Sequence, residues 1–289
     1  MRPRAKKVVG LIGYPLQHSF SPLFQQAAFD YYSLPACYEL WETLPEDLDG
    51  AVASLRMPDC LGSNVTIPYK EAVIPLLDAL DEQAHDIGAV NTILHERGSL
   101  KGYNTDVQGF ISSLEYDAGF EPFGKYALIL GAGGVARAAA IALLRAGAAR
   151  LVICNRHVAR GQSLVDFLAA KGTQVELSAL SCARQDLAKA LAGCDLVVNA
   201  TSVGMKHGSD PGGSLLPPDL IPEDALVFDL VYNPTTTPLL RDAQARGARV
   251  LNGLPMLVYQ GAAAFELWTG QQAPVGLMFE RLKRVLEEC

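Results

Sequence analysis

Two apolar rhythms alternate along the chain. Short, nearly continuous apolar runs at residues 8–13, 36–43 and 62–67 predict strands, and the segments 21–32, 46–55 and 70–80 carry the wider spacing of helices. Ser21-Pro22 reads as a helix start, with Ser21 as N-cap and proline at the first helical position. Two further strand runs, 89–95 and 100–104, flank Arg97-Gly98 and predict a hairpin.

From Lys125 the rhythm becomes regular. Strand-length runs fall at 126–130, 151–154, 174–177, 196–199, 226–231 and 249–251, separated mostly by helical segments. Six such strands are the pattern of a doubly wound parallel sheet. The first two helices stop at Gly147 and Gly172, residues suited to the left-handed position after a helix end. Residues 204–222 are rich in Gly and Pro and predict a long loop at a cleft edge. Two apolar helical stretches, 255–267 and 275–286, follow the last strand and are expected to return to the first domain. The fold class is α/β. An N-terminal α/β substrate domain is discontinuous, residues 1–108 and 255–289, and a Rossmann doubly wound dinucleotide-binding domain occupies 109–254.

Composition narrows the function classes. Of 289 residues, 49% are hydrophobic and 19% charged, enough apolar surface for two cores and too much for general disorder. The formal net charge is −7, and no dense basic run follows Arg2, Arg4, Lys6 and Lys7. A nucleic-acid partner would need such a run to neutralise phosphates, so none is expected. No apolar stretch approaches the ~20 residues that span a bilayer, and the N-terminal run lacks the apolar core of a signal peptide. A cytoplasmic protein without membrane contact is expected, as a monomer or homodimer. The six cysteines form no CxxC pair and the five histidines no HxxxH, which predicts reduced thiols and no metal. Asn64-Val65-Thr66 and Asn199-Ala200-Thr201 match the glycosylation sequon and are expected to stay unmodified.

Gly131-Ala132-Gly133-Gly134-Val135-Ala136 is GxGxxA, placed between a strand and a helix. Glycine suits this turn because the backbone must approach a pyrophosphate closely, and the helix start then offers N–H groups and a favourable dipole. The next strand ends in Asn155-Arg156-His157-Val158-Ala159-Arg160, which lacks the carboxylate that holds a ribose 2′-hydroxyl in NAD enzymes. Arg156 and Arg160, read as one helical turn apart, supply charged forks for a 2′-phosphate, so NADP is expected.

Polar residues of the first domain gather at strand ends and turns. His18-Ser19-Phe20-Ser21 brings two hydroxyls, and Asn64 to Lys70 an amide, a hydroxyl and an ammonium. Asn91-Thr92 and Asn104-Thr105-Asp106 add amides, hydroxyls and a carboxylate. Singly these have ordinary roles, Ser21 as a cap and Lys70 as a solvated helix start. Together they predict a site for a polyhydroxylated anion.

These blocks resemble the shikimate dehydrogenase family. Ser19 and Ser21-Pro22 match its serine pair, Asn64 to Lys70 its NVTxPxK stretch, and Gly88 to Thr92 and Gly102 to Gly109 its GAxNT and GxNTDxxG stretches. Asn155-Arg156, the NATSVGM run from Asn199, DxxYxPxxTPLL from Asp229 and GxxMLVxQGAxAFExWTG from Gly253 continue the match in order. Two places depart: Gln25-Gln26 stands where the family often has His-Asn, and His157 where Thr often follows the NR pair. The resemblance implies reversible NADPH-dependent reduction of 3-dehydroshikimate to shikimate, in aromatic amino acid biosynthesis. It implies Lys70 and Asp106 as the catalytic pair, with Lys70 the proton donor or acceptor. It places Ser19, Ser21, Asn64, Thr66, Asn91, Tyr232 and Gln260 around the substrate. Cofactor contacts would fall on Gly131, Ala132, Gly133, Gly134, Ala136, Asn155, Arg156 and Arg160, with Thr201, Val231, Gly253 and Met256 by the nicotinamide. Tyr232 and His18 rank below Lys70 as the acid. A quinate/shikimate dehydrogenase with broader substrate or NAD use is the enzymatic alternative. A dinucleotide-sensing regulator is the non-enzymatic one, and it would predict decay of the Lys70–Asp106 pair.

Overall fold

The computed structural model describes residues 6–208 and 210–288. Arg2, Arg4 and Cys289 lie outside them. The chain falls into two compact units, one formed by residues up to Gly109 together with those from Val258, the other by Phe110–Leu257.

The first unit begins with β1 (Lys7–Gly13), α1 (Ser21–Tyr31), β2 (Ala36–Glu42), α2 (Leu48–Ser54) and β3 (Cys60–Val65). It continues with β4 (Ala79–Leu80), α3 (Glu82–Ile87), β5 (Thr92–Glu96) and β6 (Ser99–Tyr103), and α4 (Asp106–Ser112) follows. The sheet order is β2-β1-β3-β5-β6-β4. β1 pairs in parallel with β2 and β3, while β5 runs antiparallel to β3 and β6. Arg97 (φ 51°) and Gly98 (φ 85°) are both left-handed, as a two-residue hairpin turn between β5 and β6 requires.

Two expectations for this unit fail. Ser21 is not the N-cap: Phe20 takes that position without a side-chain cap, and the Ser19 hydroxyl accepts instead from Ser21 N–H at 3.3 Å. Residues 70–80 form no helix. They make turns, a 3₁₀ turn at Ile74–Leu76 and the short β4, because Pro75 lacks the N–H and the room that an α-helix interior needs. The helix comes later, as α3. The Asp81 carboxylate caps it by accepting from Ala84 N–H at 2.8 Å, and Gly88 (φ 66°) ends it.

The second unit holds β7 (Tyr126–Leu130), α5 (Gly134–Arg145), β8 (Arg150–Cys154), α6 (Val158–Ala169), β9 (Glu176–Leu180) and α7 (Arg184–Leu191). β10 (Leu196–Asn199), β11 (Leu226–Asp229), α8 (Pro238–Ala245) and β12 (Arg249–Leu251) complete it. Its six parallel strands run β12-β11-β10-β7-β8-β9, the doubly wound order. Every residue of β7, β10 and β11 is buried, which explains their unbroken apolar runs. Among the described residues of 204–222 the expected loop is present, interrupted only by a 3₁₀ turn at Pro218–Leu220.

α9 (Leu254–Thr269) and α10 (Val275–Glu288) end the chain, and α10 packs along α1. Gln25, one of the two departures from the family pattern, donates from its buried Nε2 to Gly261 O at 2.8 Å. Trp268 Nε1 donates to Ile93 O at 3.0 Å, and Phe265 packs on Phe29 with ring centroids 5.4 Å apart. The thiols of Cys60, Cys154 and Cys194 are buried, and desolvation pushes them up to about 11, about 12 and about 12.

Candidate active site

In the first unit the polar motifs converge on one buried amide. Asn91 stands at the entry to β5, with its N–H donating to Tyr103 O at 3.0 Å. Its Oδ1 accepts from Thr105 N–H at 2.8 Å, and its Nδ2 donates to Asp106 Oδ1 at 2.9 Å and toward Gln260 Oε1 at 3.3 Å. Asp106 is the first residue of α4, where a carboxylate suits the helix dipole, and its own N–H donates to Asn104 Oδ1 at 3.0 Å. Its second oxygen holds the Lys70 ammonium at 2.5 Å. Lys70 sits in the turn after β3, its carbonyl fixed by Val90 N–H at 2.7 Å. The side chains of Lys70 and Asp106 are only 13% and 6% exposed, so the pair is screened weakly by water.

Asn64 on β3 is held from inside. Its Nδ2 donates to Asn91 O at 3.1 Å and to Thr92 Oγ1 at 3.0 Å, and its Oδ1 accepts from the Tyr38 phenol at 2.8 Å. Burial raises that phenol above its ordinary range, with the Ser21 hydroxyl beside it opposing the shift. Thr66 lies just past β3 with its N–H donating to Ile12 O at 2.9 Å, and Ser19 lies in the half-buried approach to α1.

In the second unit the turn from β7 to α5 is built from backbone. Gly131 has φ 110°, and a Cβ there would come 3.0 Å from Ala200 O and from Thr201 Cγ2, so both conformation and space call for glycine. Gly133 is exposed, with nothing within 4 Å of where its Cβ would stand. The turn, Gly131 to Gly134 with Ala132 between and Ala136 buried behind, opens onto the start of α5. There the first N–H groups have no carbonyl within the helix. This cradle has the room and polarity that a pyrophosphate needs.

Asn155 follows β8 and donates from Nδ2 to His157 O at 2.9 Å. Arg156 and Arg160 are exposed, but they do not share a helical turn. His157 is the N-cap of α6, which leaves Arg156 in the link before the helix and Arg160 inside it. No carboxylate among the described residues pairs with either. Thr201 sits in a turn organised by Asn199, whose Oδ1 accepts from Thr201 N–H at 3.0 Å and Oγ1 at 2.8 Å. Asn199 Nδ2 in turn donates to Asp229 Oδ1 at 2.9 Å. Asp229 is fully buried, also accepts from Val231 N–H at 3.0 Å and Thr237 Oγ1 at 2.6 Å, and is pushed up to about 6 by burial. Tyr232 follows, its phenol raised by desolvation. At Gly253 the chain passes so close to Leu230 that a Cβ would lie 2.1 Å from its carbonyl oxygen, and Met256 is buried just beyond.

The structure therefore joins Lys70, Asp106, Asn91, Gln260 and Asn64 by direct bonds within the first unit. Thr201 and Val231 are tied to one Asn199–Asp229 framework in the second. Tyr38, Asn199, Asp229 and Thr237 fall outside the site residues expected from the sequence, and Thr92 is expected there only as one hydroxyl of the polar group. Asn199 and Asp229 end their apolar strands on a polar side chain, which is a readable signal; Tyr38 carries none. Among the described residues no group of three or more His, Cys, Asp or Glu side chains is placed to hold a metal. No described helix is long and apolar enough to cross a membrane.

The sheet order and the glycine turn define the class: an α/β protein with a Rossmann dinucleotide-binding unit. Residues 11–93 match the shikimate dehydrogenase substrate binding domain, residues 119–206 the shikimate/quinate 5-dehydrogenase domain, and residues 253–283 the shikimate 5′-dehydrogenase C-terminal domain. The shikimate dehydrogenase (NADP(+)) of Moorella thermoacetica is 48% identical over 98% of this chain and 93% of its own. A crystal structure of a shikimate dehydrogenase with NADP+ superposes with a TM-score of 0.89 at 38% identity, covering 97% of this chain and 96% of that one. That of the Thermus thermophilus enzyme with NADP(H) and shikimate gives 0.85 at 40% identity, covering 96% and 99%. The chain belongs to the shikimate dehydrogenase family.

Proposed function

We propose that this protein catalyses the reversible NADPH-dependent reduction of 3-dehydroshikimate to shikimate, in aromatic amino acid and chorismate biosynthesis. The observation that carries the reading is the Lys70–Asp106 pair, nearly buried and oriented by Asn91, in a chain of this family. In this reading the first unit is the substrate domain and the second the NADP-binding domain, and the protein works in the cytoplasm as a monomer or homodimer.

NADPH, when bound, supplies the hydride. The chain's own residues manage the proton and the charge. As the substrate carbonyl gains alkoxide character, Lys70 Nζ delivers a proton to that oxygen, and in the reverse direction it takes the proton back. Asp106 Oδ2 orients the ammonium, and Asn91 Nδ2 on Oδ1 keeps the carboxylate from turning. Ser19, Ser21, Asn64, Thr66, Asn91, Tyr232 and Gln260 are assigned to the substrate's carboxylate and hydroxyls. Gly131, Ala132, Gly133, Gly134 and Ala136 form the pyrophosphate cradle, and Arg156 and Arg160, with Asn155, receive the 2′-phosphate. Thr201, Val231, Gly253 and Met256 line the nicotinamide pocket. Arg156 and Arg160 lack carboxylate partners among the described residues, which leaves both guanidinium groups available to a phosphate.

The test is a four-way assay of purified protein with shikimate or quinate, each with NADP+ or NAD+, following cofactor reduction. Shikimate with NADP+ is expected to give the highest kcat/KM. A preference for quinate, or for NAD+, would overturn the assignment in that respect.

A further inference from the structure

We infer that Thr92 is a positioning residue for this reaction: its hydroxyl, at the centre of a one-way hydrogen-bond relay from Tyr38, sets the Asn91 amide that holds Asp106. The inference rests on the function proposed above.

The direction of the relay is forced by two backbone groups. Asn64 lies 3.1 Å from Asn91 O, which can only accept, so the nearby Asn64 atom is Nδ2. Asn64 Oδ1 must then face Tyr38, and the phenol must donate across the 2.8 Å between them. Thr105 N–H, which can only donate, lies 2.8 Å from the Asn91 amide and fixes Oδ1 there. Asn91 Nδ2 is left to face Asp106 Oδ1 at 2.9 Å. Thr92 Oγ1 stands between the two amides. It accepts from Asn64 Nδ2 at 3.0 Å, and its single proton goes to Asn91 Oδ1, also at 3.0 Å. Thr105 Oγ1 lies 3.5 Å from Thr92 Oγ1 and also borders the Asn91 amide, 2.9 Å from Nδ2 and 3.2 Å from Oδ1.

One donor at each step therefore points the same way, from Tyr38 through Asn64, Thr92 and Asn91 to the carboxylate that carries Lys70. Thr92 is fully buried and Tyr38 6% exposed, so water is not at hand to replace a missing member. If the Asn91 amide turned over, its oxygen would face Asp106 and repel it. The relay raises the cost of that flip by adding the Thr92 hydroxyl, at 3.0 Å, to the Thr105 N–H at 2.8 Å and the Thr105 hydroxyl at 3.2 Å on Oδ1. Thr92 touches neither reacting atom, and acts through Asn91.

Thr92→Val keeps the shape and removes the hydroxyl, while Thr92→Ser keeps the hydroxyl. With shikimate and NADP+, Thr92→Val is expected to lower kcat by about tenfold or more, with KM for NADP+ unchanged within about twofold. Thr92→Ser should restore kcat to within about threefold of the parent. A merely structural role would lower the active fraction and Tm without this split, so both are measured. Equal kcat for parent and Thr92→Val, or a serine variant as slow as the valine one, would overturn the relay. Should Thr92→Val fail to fold, Tyr38→Phe reads the same line from its start: a fall in kcat of about threefold or more supports it, and an unchanged kcat refutes it. A parent protein inactive on shikimate would sink the proposed function and the relay with it, whereas an active parent with a fast Thr92→Val sinks the relay alone.

Discussion

In the first unit the site is made of side chains holding side chains. Asn91 alone bonds to Asp106, Thr105 and Gln260, and Asn64 ties that group to Tyr38. In the second unit the cradle after β7 is made of backbone, and its key feature is the absence of side chains at Gly131 and Gly133. The contrast follows from what each site has to recognise. A small hydroxylated acid offers donors and acceptors that must be met one by one, so amides with fixed orientation are needed. A pyrophosphate offers diffuse charge, which N–H groups at a helix start meet with little regard to side-chain identity. The first unit should therefore be sensitive to the loss of a functional group, and the second to the addition of bulk.

Four expected outcomes would break or sharpen that contrast. The largest is Lys70→Ala, which should reduce kcat by ~10²–10⁴ with little change in KM, read by steady-state kinetics. A near-normal kcat would remove Lys70 from the chemistry. The second concerns Asp229, whose carboxyl is raised from 3.8 to about 6 by burial. The native state keeps this proton between about pH 4 and 6, where the unfolded chain releases it. The stability this gives is full below about pH 4 and lost as pH rises through about 6, a change of at most about 3 kcal/mol. Urea unfolding of Asp229→Asn at pH 5 and pH 8 should show a smaller difference between the two than the parent does.

The third is Gly253→Ala, where the added carbon meets Leu230 O at 2.1 Å and the backbone must move. A loss of about 1–3 kcal/mol in urea unfolding is expected; no loss would mean that the approach is not tight. The smallest is Arg156→Gln, expected to raise KM for NADP+ by about tenfold and leave KM for NAD+ unchanged. Equal effects on both cofactors would assign Arg156 to the surface.

Much of this was legible in the sequence, and the reasons are local. The strand 126–130 and the turn at Gly131 depend on near neighbours, so pattern and composition reveal them. The hairpin at Arg97-Gly98 is legible for the same reason. The helix expected at 70–80 gives way at Pro75, and the one that forms, Glu82–Ile87, carries its signal in Asp81 and Gly88. Lys70 and Asp106 were found by resemblance, since nothing in their spacing shows that they meet at 2.5 Å. Tyr38 is not legible as a site residue, and Thr92 only as one hydroxyl of the polar group, because their roles come from contacts across strands far apart in the sequence.

The buried thiols give the molecule a built-in clock. Alkylating reagents attack thiolates, and Cys60, Cys154 and Cys194, held at about 11 to about 12, carry almost none at neutral pH. Burial shields each of them further, Cys60 on β3, Cys154 on β8 and Cys194 in the turn before β10. Alkylation of Cys60 is therefore expected to follow the opening of one unit, and that of Cys154 and Cys194 the opening of the other, within a single unmodified chain.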